Sequence, residues 1–97
     1  MFLVFLRFSS NRDRAGELMD GHAKWIAEGF DDGVFLLTGT VPGVGGSVLA
    51  YQTTLDELRA RVEQDPFVAE GVVEPEIIEI EPDRVESRLD AILAGAA

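Results

Sequence analysis

The chain has no cysteine and only one histidine in its 97 residues. Without thiols there is no disulfide framework, no thiolate nucleophile and no thiolate-bound metal. Cationic side chains are scarce: eight Lys and Arg stand against eighteen Asp and Glu, a formal net charge of -10. A surface that negative repels phosphate backbones and anionic lipid, so neither nucleic acid nor membrane is expected as a partner. Long apolar runs are also missing. The stretch Met1 to Leu6 is broken by Arg7, far short of the roughly 20 residues of a membrane span and too short for a secretory signal. A soluble, cytoplasmic protein is the expectation. The glycine cluster Pro42-Gly43-Val44-Gly45-Gly46 lacks the strand-loop-helix setting of a phosphate loop, and it reads as a flexible hairpin connection. Glu74, Glu76, Glu79 and Glu81 do not follow EF-hand spacing and read as solvent-facing. Neither metal nor cofactor is expected.

What is present is a hydrophobic fraction of 46%, enough for one core, and the whole of residues 1–97 reads as a single domain. A chain this short buries only about two-thirds of its unfolded surface, so docking on a second copy would help it. Phe2 to Phe8 reads as a strand, with Phe2, Val4, Leu6 and Phe8 on one face and Leu3 and Phe5 on the other. From Asp13 to Phe30 the period becomes helical: Leu18, His22, Ile26 and Gly29 form a row, with Met19, Trp25 and Phe30 beside it. A turn at Asp31-Asp32-Gly33 leads to a strand over Val34 to Val41, and a further strand follows over Ser47 to Gln52.

Thr54-Leu55-Asp56-Glu57 has capping-box spacing, and Leu55, Leu58 and Val62 supply the inner face of the helix it opens. Asp65-Pro66 ends that helix and starts a short one, since proline suits the first helical position. Val73 to Glu81 reads as the last strand. Asp83 and Glu86 repeat the capping-box spacing and predict a helix over 83–95, with Val85, Leu89, Ile92 and Leu93 as its stripe. The order is βαββαβ plus a C-terminal helix: an α+β, ferredoxin-like domain with a four-stranded antiparallel sheet. Its helices cover one sheet face. The other face is also apolar, which predicts a homodimer packed sheet to sheet.

Imidazole is the side chain suited to taking and giving a proton near neutral pH, and His22 supplies the one in this chain. A helical histidine bonded to a backbone carbonyl is the plainer alternative. Asp65 before Pro66 suits a cap on the backbone N–H groups of Phe67 or Val68. Trp25, Phe30, Phe35 and Phe67 fit either ordinary core or the lining of an apolar pocket. Thr38 and Thr40, flanking Gly39, are candidate hydrogen-bond donors to a ligand, and Tyr51 suits a pocket or an interface.

Together the strand-one start, His22, Gly33-Val34-Phe35-Leu36-Leu37-Thr38-Gly39 and Asp65-Pro66-Phe67-Val68-Ala69-Glu70-Gly71-Val72 resemble the YCII-related (YciI-like) family. The resemblance spans residues 2–81. It implies a dimeric α/β barrel and an active-site pair made by the first-helix histidine, His22, and an aspartate, best matched by Asp65. It also implies a substrate pocket; the family includes a dehydrochlorinase acting on a chlorinated hydroxyquinol. Two departures stand out. Thr40 occupies a position where the family often has proline. Leu18-Met19-Asp20-Gly21 precedes His22 where an arginine is common, and Arg12 and Arg14 are the nearest substitutes.

Two main readings follow. The first is a cofactor-free enzyme that uses His22 and Asp65 for lyase- or isomerase-like proton transfer on a small cyclic or phenolic substrate. The second is a non-catalytic small-ligand-binding or regulatory module with the same fold. A cofactor-independent monooxygenase is a third option, resting on fold analogy alone.

Overall fold

The computed structural model describes residues 1–94. Strand β1 (Phe2–Phe8) is followed by a single 3₁₀ turn (Arg12–Arg14), helix α1 (Ala15–Asp31) and the hairpin β2 (Phe35–Val41) and β3 (Gly45–Ala50). Helix α2 (Leu55–Glu63), the short α3 (Pro66–Ala69), strand β4 (Val73–Glu79) and helix α4 (Ser87–Leu93) complete the chain. All strand pairs are antiparallel, in the order β2-β3-β1-β4. That is the expected ferredoxin-like α+β arrangement. Among the described residues, no helix is long and apolar enough to cross a membrane.

Period-two alternation sorts the residues of β1 onto two sides. Phe2, Val4 and Leu6 are buried with Val48, Ala50, Trp25, Leu58, Val62 and Phe67 in one continuous core. Helix α1 enters that core through Trp25, whose Nε1 donates to the Arg61 carbonyl of α2 at 2.8 Å. One turn later Gly29 lies against the Phe35 ring so closely that any Cβ there would overlap it. Helix α2 starts where the spacing predicts. Thr54 Oγ1 accepts from the Glu57 N–H, and the Glu57 carboxylate accepts from the Thr54 N–H.

The opposite sheet face is less well covered among the described residues. Across it runs a row of four aliphatic residues, one from each strand: Leu37, Leu49, Leu3 and Ile78 are register neighbours in turn. Leu37 is 54% exposed and Ile78 40%.

Several boundaries differ from expectation: α1 begins at Ala15 rather than Asp13, β2 at Phe35 rather than Val34, and β4 ends at Glu79 rather than Glu81. Strand β3 begins at Gly45 rather than Ser47, because Gly45 and Gly46 pair with Arg7 and Leu6 of β1 and leave only a tight turn at Pro42-Gly43. It ends at Ala50, before the left-handed Gln52. The C-terminal helix begins at Ser87 rather than 83, with Glu86 as its N-cap accepting from the Arg88 N–H. The capping box expected at Asp83 does not form, and the helix's expected end at 95 lies outside the described residues.

Candidate active site

Helix α1 carries His22 on the side that faces α3, and the two helices approach closely because residue 21 is glycine. A Cβ at Gly21 would come within 3.0 Å of Pro66 Cγ, tighter than ordinary contact. Pro66 in turn follows the N-cap Asp65, whose Oδ1 accepts from the Phe67 N–H at 3.1 Å. The approach brings His22 to that same oxygen. His22 Nδ1 donates to Asp65 Oδ1 at 2.8 Å. Because Oδ1 already accepts from a backbone N–H, the geometry puts the shared proton on Nδ1 and leaves the Nε2 lone pair free when the ring is neutral.

The imidazole has little freedom. Its face lies on the Phe67 ring, centroids 4.0 Å apart and planes within 6°, and Trp25 stacks at 5.9 Å. His22 Nε2 has no protein partner among the described residues, yet it is not sealed from solvent. Asp65, by contrast, has no exposure at all, and its Oδ2 has no hydrogen-bond partner among the described residues. Burying a carboxylate is costly unless it is paired and hydrogen-bonded. Two donors on Oδ1 offset part of that cost, and the orphan Oδ2 leaves part of it standing.

His22 opens onto a cleft between α1 and the covered face of the sheet. One part of the cleft, about 320 Å³, is apolar, with Phe8, Met19, Phe67 and Val73 in its wall. A second part, about 200 Å³, is bounded by Thr38, Gly39, Thr40 and Ser47. His22 borders both. Of the residues singled out from the sequence, His22 and Asp65 are therefore in contact, and Thr38, Gly39, Thr40 and Phe67 surround the same cleft. Trp25 and Phe35 are core, and Phe30 is largely exposed. Sequence reading missed Leu6, Ile26 and Gly46, which border both parts of the cleft. Their signals were those of ordinary strand and helix residues.

A β-bulge explains how two threonines come to face the histidine. Phe35 pairs with Ala50 and Leu37 with Leu49, so Leu36 is an extra residue in β2. A bulge of one residue flips the alternation beyond it. Phe35 thus points into the core while Leu37 points out, and Thr38 and Thr40 turn to the side of His22. Without the bulge, the hydroxyls would face away from the cleft.

The fold and this cleft define a small ferredoxin-like domain with a polar pair at the edge of its core. No model of a known protein family matches the chain, and no curated protein does. Among solved structures, it is similar to 5-chloro-2-hydroxyhydroquinone dehydrochlorinase from Burkholderia phenoliruptrix AC1100, in complex with 2,5-dihydroxybenzoquinone. The TM-score is 0.71 at 15% sequence identity, over 82% of this chain and 92% of that one. At that identity the likeness shows the shared fold.

Proposed function

We propose that this chain is a small YciI-like enzyme that transfers a proton on a small cyclic or phenolic substrate, working as a cytoplasmic homodimer. The observation that carries the reading is the His22–Asp65 hydrogen bond at 2.8 Å, with the other ring nitrogen open to a mostly apolar cleft. A general base needs its lone pair aimed at the substrate and its second nitrogen held by a group that stabilises the imidazolium. The His22–Asp65 hydrogen bond and the cleft beside the ring support both roles.

In this reading His22 Nε2 takes a proton from a ring carbon or a phenolic oxygen. The buried Asp65 carboxylate stabilises the resulting imidazolium without itself taking the proton. Negative charge moves onto a ring oxygen, where the Thr38 or Thr40 hydroxyl donates a hydrogen bond to it. The step is completed in one of two ways. Either the imidazolium returns the proton at another ring position, or a leaving group departs with the bonding electron pair. Neither route needs a redox cofactor. The fold shared with a dehydrochlorinase of a hydroxyhydroquinone supports this substrate class.

The test is turnover of a panel of chlorinated and unchlorinated hydroxyquinols, read as chloride release and as change in ring absorbance. Active wild type with an inactive, folded His22→Ala variant supports the proposal; undiminished turnover by that variant ends it. The second reading, a ligand-binding module, draws on Asp65 being also the N-cap of α3, a structural duty independent of chemistry. It predicts that the same ring compounds bind and are released unchanged.

A further inference from the structure

We infer that Gly46 is the specificity-determining position of the cleft: its missing side chain joins the apolar and hydroxyl-lined parts into one site that takes a two-part ligand. The inference rests on the cleft being a ligand site, as proposed above, and adds which ligands fit it. Both parts are bounded by the same five residues, Leu6, His22, Ile26, Thr40 and Gly46. Three of these form one cross-strand row on the covered sheet face. Thr40 of β2 pairs with Gly46 of β3, and Gly46 pairs with Leu6 of β1. Gly46 is the middle of that row, so the floor of the cleft dips where the two parts meet.

The next two covered-face positions of β3 are Val48 and Ala50, both fully packed in the core. The register gives Gly46 the same orientation. A Cβ added there would lie 3.8 Å from Leu6 Cβ, 3.9 Å from Leu6 Cδ1 and 4.0 Å from the Gly39 carbonyl oxygen. Those are ordinary contact distances, and Gly46 does not have the positive φ that Gly43 and Gly45 have. Neither backbone strain nor lack of room therefore requires glycine at 46. What glycine provides is the passage between the two parts, beside His22.

A ligand that fills both parts has an apolar group toward Met19, Phe67 and Val73, and a ring bearing hydroxyl or oxo groups toward Thr38 and Thr40. Its reacting atom lies at the junction, where His22 stands. Alanine at 46 narrows that junction and valine closes it, while single-ring compounds still fit in one part.

The experiment measures binding of hydroquinone and phenylhydroquinone, without oxygen, to wild type, Gly46→Ala and Gly46→Val. The single histidine and the single tryptophan give unambiguous NMR and fluorescence signals. Wild type should bind phenylhydroquinone at least about tenfold more tightly than hydroquinone, since filling an apolar pocket is worth that much. Gly46→Val should weaken phenylhydroquinone binding by a clearly larger factor than hydroquinone binding and so remove that preference, with Gly46→Ala between the two. If the valine variant melts early, the alanine variant carries the same comparison at smaller amplitude. Equal loss for both compounds, or no loss for either, overturns the inference and leaves the cleft a ligand site. If neither compound moves the wild-type His22 or Trp25 signals, the ring-binding reading itself falls, and the inference falls with it.

Discussion

The two faces of the sheet are built from similar residues and end up in different states. On β1, Phe2, Val4 and Leu6 point one way and Leu3 and Phe5 the other, so each face is apolar. On the helix side those residues are almost completely buried, and the cleft with His22 opens at the edge of that packing. On the other side, the row Leu37, Leu49, Leu3 and Ile78 is only partly covered by its own neighbours. An Arg7–Glu76 ion pair, half exposed, adds little stability there. The difference teaches that the helices cover the face that carries the cleft and leave the other face apolar and partly exposed.

The largest effect in this comparison should come from the site at the edge of the covered face. His22→Ala should lower turnover by about 10²–10⁴-fold, the usual worth of a positioned acid–base group, with a melting curve close to wild type. Next come paired leucine truncations on the two faces. Leu58→Ala, which removes a fully buried side chain that α2 lays into the core, should cost about 2–5 kcal/mol in denaturant unfolding. Leu37→Ala, half exposed on the open face, should cost under about 0.5 kcal/mol in a monomer. If the open face is a dimer interface, wild-type melting will rise with protein concentration, and a Leu37→Ala, Ile78→Ala double variant will lose that dependence. A concentration-independent melt and monomeric sedimentation of wild type would instead make the open face a simple solvated surface.

Asp65→Ala separates the capping duty from the pairing duty. Loss of the cap and of the histidine's partner should destabilise the fold by about 1–3 kcal/mol. Asp65→Asn keeps much of the cap, because its carbonyl still accepts from the Phe67 N–H. It should melt nearer to wild type, while the ¹⁵N signals of His22 show the Nδ1–H tautomer losing ground. An unchanged tautomer in Asp65→Asn would mean that the aspartate does not orient the ring. Trp25→Phe removes the hydrogen bond to the Arg61 carbonyl, which by itself should cost about 1 kcal/mol.

Two capping boxes with the same spacing show how far local signals reach. Thr54 and Glu57 form theirs, and the helix they open lays Leu58 and Val62 into the core. Asp83 and Glu86 do not; α4 starts at Ser87, and Leu89 and Leu93 of its stripe border an open surface pocket with Met1 and Ile80. A short helix gains most of its stability from the surface it packs on, and α4 has no buried residue among those described. The cap at Asp65 was legible for the same reason as that at Thr54: Asp before Pro, followed by Phe67, is a local device whose helix lands in the core.

By itself the sequence determined the order of elements, the two alternating faces of β1, and the placing of one imidazole on the apolar stripe of the first helix. Those follow from periods of two and 3.6 residues, caps and turns, which act over a few positions. Tertiary structure alone decided the site. His22 meets Asp65 across 43 residues of chain because Gly21 lets α1 settle on Pro66. Thr38 and Thr40 face the cleft because one extra residue at Leu36 reverses the alternation of β2, a choice made by pairing with β3. Register and helix approach are collective, set by how whole surfaces fit together, and no short window of sequence contains them.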